Sequence, residues 1–320
     1  MTPVPTFQTQ VQDYLEERRR LGFALAIPGT QLMAFARHLD QVGHRGPLTM
    51  AAILGWVQGR ATRATPFTWA RRLDVVRPFA RFLARTIPGT VIPDRGRFGP
   101  SHRRLTPHIY SDGELVDLLE AAGRLPPPGT LRPATYRTFF GLVAATGLRL
   151  SEALRLCCAD VDLVGGVLTI RQTKFAKSRL VPLHSTTVTE LTRYDELRRR
   201  HVPAVPGAPF FTSAKGIALA SRTVHDVFAR IRSELGWVAR GSHPAPRIHD
   251  LRHTFICRRV ALWQAHGADL DHAMLALSTY VGHAKVSDTY WYLTAVPDLM
   301  VGVGRRFEGF ACPVEEARHG

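Results

Sequence analysis

Apolar residues recur at three- and four-residue spacing over positions 7–21, 29–42, 49–59 and 66–85, which predicts four amphipathic helices. In the fourth, Phe67, Trp69, Val75, Val76, Phe79, Phe82 and Leu83 form the expected core stripe. Arg71, Arg72, Arg77, Arg81 and Arg85 interleave with it. Arg77, Arg81 and Arg85 step by four and are expected to share one exposed helix face. The periodicity then stops. Residues 88–107 read PGTVIPDRGRFGPSHRRLTP, a basic stretch too rich in proline and glycine for a helix or a central strand.

Helical spacing returns at 112–122 and 132–145, breaks at Thr146–Gly147, and resumes near Ser151. After Gly165–Gly166 the period changes. VLTIRQTKFAKSRLVPLH alternates around a short polar centre, as a β-hairpin does. Helices are expected again at 186–200, at 221–235 and from His249 onward. The fold class is therefore mostly α with a small antiparallel β-sheet. Three regions follow: a helical domain at 1–90, a basic linker at 91–107, and a second domain at 108–320.

A chain of 320 residues is long enough for two cores. No apolar run approaches the roughly 18 residues of a membrane span. The N-terminus lacks the pattern of a secretory signal, so a cytoplasmic protein is expected. The four cysteines form no CxxC pair and read as reduced thiols. Net charge is +16, which attracts polyanions. The excess is concentrated early: residues 1–107 hold 16 Arg and no Lys against 6 Asp and Glu. Arg71, Arg77, Arg81, Arg85, Arg103 and Arg104 are the candidates for a DNA-contacting surface.

The candidate chemistry lies in ATGLRLSEAL, HDLRH and VGHAKVSDTYWYL. Arg149 opens a helix, where free N–H groups would help it hold an anion. His249 and Arg252 are three apart and share a face. His253, four from His249, also fits a metal pair, but Asp250 stands where a zinc protease needs Glu and no third ligand is evident. His283 and Tyr292 would point about 180° apart on one continuous helix. Gly282, a helix-ending residue, removes that conflict. Tyr290 and Tyr292 are about 200° apart on a helix, so only one can face the site, and spacing alone does not choose between them.

These motifs, with the hairpin QTKFAKSRLVPL, occur in the order and spacing of the tyrosine recombinase (phage integrase) family, over about residues 108–300. The helical first domain resembles that family's SAM-like core-binding domain more weakly. The resemblance implies a site-specific recombinase that cleaves and rejoins DNA through a 3′-phosphotyrosine, in integration, excision or transposition of a mobile element, or in resolution. It implies Arg149, Lys174, His249, Arg252, His283 and Tyr292 as the catalytic set, with Lys177 as the fallback for Lys174 and Tyr290 for Tyr292. His249 would then assist Tyr292 as a base or hold it in place. It implies neither cofactor nor metal. Its partners would be double-stranded DNA recombination sites, with a monomer in free solution becoming a homotetramer on synapsed DNA. A type IB topoisomerase-like enzyme and a non-catalytic DNA-binding protein derived from a recombinase are the alternatives.

Overall fold

The computed structural model describes residues 5–59, 65–171, 178–202, 205 and 207–295. The chain divides into two compact units, Met1–Arg104 and Leu105–Gly320.

The first unit is four helices: α1 (Phe7–Arg20), α2 (Ala26–Gln41), α3 (Met50–Gln58) and α4 (Pro66–Leu83). Three starts are written locally. Thr6, Thr49 and Thr65 are extended, and each hydroxyl accepts from the N–H three residues on, a cap worth about 1 kcal/mol. Asp40, in the last turn of α2, accepts from the backbone N–H groups of Phe7 and Gln8 at 3.0 and 3.2 Å. Its charge thereby meets the positive end of α1. Val11, Phe35, Leu39, Ile53, Val57, Val76 and Phe79 form the core. Of the expected stripe, Val76, Phe79 and Leu83 are buried, whereas Phe67, Trp69, Val75 and Phe82 are half-buried. Arg72 closes the end of α3 by donating to the carbonyls of Val57 and Gly59.

The single exposed arginine face expected here does not form. Helix α4 ends at Leu83, so Arg85 lies beyond it and pairs with Glu17 at 3.7 Å. Arg77 is half-buried, and of these three only Arg81 is an exposed residue of the helix. Four-residue spacing sets a direction; the length of the helix and the packing decide which positions reach solvent. Phe98, from the basic Pro/Gly stretch, packs edge-on against Trp69 at 5.4 Å.

The second unit contains α5 (Asp112–Gly123), α6 (Leu131–Thr146), α7 (Leu150–Leu154), β1 (Val161–Asp162), β2 (Val167–Ile170), β3 (Arg179–Pro182), α8 (Ser185–Arg199), α9 (Ser221–Glu234), α10 (Ile248–Ala265), α11 (Leu270–Val281) and α12 (Ser287–Ala295). Ser111 and Glu114 start α5 with a reciprocal capping box. The strands are antiparallel in the order β1-β2-β3, with Ile170 opposite Arg179 and Val167 opposite Pro182. Leu168, Ile170 and Val181 turn inward to the core. That core is centred on α6, whose Leu131, Tyr136, Phe139, Phe140 and Val143 are buried. The expected class, mostly helical with a small antiparallel sheet, is the one observed. Lys174 and Lys177, in the hairpin connection, lie outside the described residues. No described helix is long and apolar enough to cross a membrane.

Candidate active site

Helix α6 stops at Gly147, which takes a left-handed conformation (φ 62°). A Cβ there would lie 2.5 Å from Cδ1 of Phe255, so the site suits glycine on both counts. The turn delivers Arg149 as the residue that caps α7. Its Nη1 donates to Glu152 at 2.8 Å and its Nη2 to the carbonyl of Gly282 at 2.6 Å. Its backbone N–H is taken by the other Glu152 oxygen at 3.0 Å. This corrects the expectation of free N–H groups beside Arg149. Helix α7 has only five residues, and a carboxylate of the chain already occupies its start.

Glu152 is buried and serves two arginines. Arg179, at the start of β3, donates to both its oxygens at 3.1 and 2.9 Å, and to the Tyr280 carbonyl at 2.8 Å. Burial alone would raise the Glu152 carboxyl. Bonds and charge from Arg179, with the bonds from Arg149, outweigh that and hold it at about 2.

Helix α10 supplies Arg252, which is 2% exposed. It donates to the carbonyls of Gly147 at 2.7 Å and Val281 at 2.8 Å. Burial, then the neighbouring Arg149 charge, pulls it down to about 10. It stays protonated at neutral pH. Arg149 and Arg252 therefore rest on two consecutive carbonyls, those of Gly282 and Val281, at the end of α11.

Gly282 ends α11 in the left-handed conformation (φ 71°), as its place in the sequence suggested. A Cβ would approach Nη1 of Arg179 to 2.7 Å. The chain then reverses, and His283 is held by a 2.6 Å bond between its Nδ1 and the hydroxyl of Thr289 in α12. Tyr292 follows on α12, 3% exposed, with its ring parallel to that of His283 at 6.2 Å. Its hydroxyl lies 2.7 Å from Nδ1 of His253. Tyr290 leaves the other way, donating to Asp271 at 2.8 Å. The two tyrosines part as helical geometry requires, and Tyr292 is the one whose phenol interacts with the Arg252 charge.

The three histidines are held neutral. Burial, then Arg252 and Arg247, lowers His249 to about 4. Its ring remains exposed to solvent, which weakens the effect. Burial, then Arg252 and Arg149, lowers His283 to about 3. Burial, then His249, takes His253 to about 2. The site is thus a positive rim of two fixed guanidinium groups, neutral imidazoles and one phenol. Among the described residues no group of three or more His, Cys, Asp and Glu could hold a metal ion.

The structure brings Arg149, His249, Arg252, His283 and Tyr292 into one neighbourhood. Sequence reasoning missed Glu152 and Arg179, and weighed His253 only as half of a metal pair. Two had a signal: Glu152 stands three after Arg149, and His253 four after His249, the spacings of helical neighbours. Arg179 had none, because its partners are far away in the chain.

The phage integrase family model matches residues 112–297. The chain is 41% identical over 307 residues to "Putative integrase/recombinase y4rB" of Sinorhizobium fredii, covering 95% of this chain and 97% of that one. It is 30% identical over 226 residues to the tyrosine recombinase XerC of Nitrobacter winogradskyi, covering 69% of this chain and 65% of that one. Its fold is similar to that of the XerH site-specific recombinase bound to palindromic difH substrate (TM-score 0.64, 18% identity, 94% of this chain and 85% of that one). It is also similar to the Tn1549 transposon integrase in complex with transposon right-end DNA (TM-score 0.67, 14% identity, 94% and 99%). The chain belongs to the phage integrase family, the tyrosine-type site-specific recombinases.

Proposed function

We propose that the second unit cleaves DNA with Tyr292 as nucleophile, and the observation carrying this is the fixed Arg252 guanidinium that interacts with its phenol while Arg149 is held on the adjacent carbonyl. The Tyr292 oxygen attacks a backbone phosphorus as its proton passes to a neighbouring imidazole, the bond from phosphorus to the 5′-oxygen breaks, and a 3′-phosphotyrosine remains. Arg149 and Arg252 neutralise the non-bridging oxygens. A fixed donor of this kind is worth about 2.7–4 kcal/mol in the transition state. Guanidinium suits the task because it is planar and always charged. His283 completes the clamp and His249 lines it. Lys174 protonates the departing 5′-oxygen, a role that rests on the family resemblance. The phosphotyrosine retains the energy of the broken bond, so religation by the 5′-hydroxyl needs no nucleotide.

The first unit supplies DNA affinity. Arg71 and Arg103 both lie over the ring of Phe67, at 5.9 and 5.2 Å. Arg77 and Arg81 line a cavity of about 470 Å³ that Arg95 and Arg97 share. Nε and Nη1 of Arg77 are buried with no acceptor among the described residues, and the cavity beside them is the place offered to an anion. Arg85 and Arg104 are exposed on the same unit. The protein works where the DNA is, in the cytosol, as a monomer that assembles into a tetramer on two recombination sites.

The test is a nicked suicide DNA substrate. Wild type forms a covalent adduct, and Tyr292→Phe abolishes it while DNA binding survives. An adduct in Tyr292→Phe, or none in wild type on its cognate site, overturns the reading.

A further inference from the structure

The family resemblance gives His249 the task of assisting the nucleophile. The structure gives the close contact to His253, one helical turn later. We propose that His253 is the positioning residue of the tyrosine nucleophile, fixing the Tyr292 hydroxyl by accepting its hydrogen bond at Nδ1. This rests on Tyr292 being the nucleophile.

Three observations carry it. The Nδ1 to Oη distance is 2.7 Å, the usual length for a bond to a hydroxyl. The imidazole is itself held in place. His249 stands perpendicular to it at 4.7 Å between ring centres, and Trp291 meets it edge-on at 6.1 Å. The phenol ring is equally constrained, packed with Ile256, Cys257, Val260, Met274, Leu277 and Val281.

Charge sets the protonation state of the ring, and the tautomer that receives at Nδ1 is part of the proposal. A protonated His253 would be a buried cation facing Arg247 and Arg252, beside His249 and His243. The neutral ring is therefore the resident form, and a neutral ring that receives at Nδ1 carries its hydrogen on Nε2. Tyr292 is then the donor. With its O–H committed to Nδ1, the phenol oxygen cannot rotate its hydrogen into the path of an incoming phosphate. Its lone pairs keep one orientation relative to the aryl plane. An unanchored phenol would sample both in-plane O–H orientations.

The experiment uses the full chain with three substitutions. His253→Phe keeps the ring volume and removes the acceptor. His253→Asn keeps an acceptor oxygen near the place of Nδ1. Tyr292→Phe reports on the underlying reading. Adduct formation is measured in single turnover at saturating DNA, with DNA affinity and thermal unfolding measured alongside. We expect His253→Phe to slow adduct formation by about 10²-fold, the scale of a misplaced reacting group, with DNA affinity unchanged. His253→Asn recovers most of the rate. A wild-type rate in His253→Phe overturns the proposal and leaves the nucleophile standing. So does an equal loss in His253→Phe and His253→Asn, or unfolding of both, since the ring would then matter for packing. An adduct in Tyr292→Phe removes the nucleophile reading and this proposal with it.

Discussion

Arg252 in the second unit and Arg77 in the first both turn inward from helices, and the protein treats them in opposite ways. Two carbonyl oxygens receive the Arg252 guanidinium, from Gly147 and Val281. Nε and Nη1 of Arg77 are buried without an acceptor among the described residues, beside a cavity lined by further arginines. A buried donor left unsatisfied costs about 1–3 kcal/mol. In the second unit the chain meets that cost within itself, so in the proposed mechanism the guanidinium is already aimed when charge develops on a phosphate. In the first unit the arriving anion is what would satisfy the group. On that proposal the contrast separates a site prepared for a transition state from a surface prepared for binding.

The sharpest way to break this contrast is to exchange the two losses. Arg252→Lys should slow adduct formation at saturating DNA by about 10²–10³-fold, because the fork that spans two carbonyls and a phosphate is gone. Arg77→Ala should leave that saturated rate unchanged. Equal losses of rate in both, in single-turnover assays, would end the distinction.

A second test concerns how the second unit holds its arginines. Glu152 is held at about 2, below its usual 4.5. A depressed carboxylate contributes stability that is fully present above its unfolded value and lost as pH falls through the folded one. Here that window runs from 4.5 down to about 2 and is worth about 3 kcal/mol. Glu152→Gln should lower unfolding free energy at pH 7 by that amount, and by less at pH 3. Denaturant titrations at both pH values measure it, and a constant difference would contradict the network.

Gly282→Ala is expected to cost less, about 1–2 kcal/mol from the left-handed backbone, plus a displaced Arg179 guanidinium. Thermal unfolding should fall and adduct formation with it. The first unit gives the smallest effect. Arg77→Ala should weaken DNA binding on every sequence alike and reduce the salt slope of log affinity by about one. An unchanged slope, by fluorescence anisotropy across salt concentrations, would mean Arg77 never meets a phosphate.

What could be read in the sequence was local. The helices of both units follow the apolar period, with ends within a few residues of those expected. The alternation on either side of the polar centre gave β2 and β3. Gly282 announced the break that lets His283 and Tyr292 share a site, and 3.6 residues per turn separated Tyr290 from Tyr292. What escaped depends on which distant parts meet. The partners of Arg179 are Glu152 and Tyr280, and His253 reaches Tyr292 across 39 positions. No period within a helix reports such pairings. The arginine face of α4 failed for a related reason: whether Arg77 is buried depends on what packs beside it.

The end of α11 works as a ruler. Arg149 and Arg252 come from different helices, yet each rests on one of two neighbouring peptide units, those of Gly282 and Val281. Successive Cα atoms are about 3.8 Å apart whatever their side chains. The gap between the two cationic grips is therefore bounded by covalent geometry and set by the backbone dihedrals of the turn, where Gly282 is left-handed (φ 71°). Substitutions that leave that turn intact change how firmly the ruler is mounted, and not its graduation. A residue that changes the backbone at Gly282, or an insertion or deletion there, would alter the spacing offered to a phosphate.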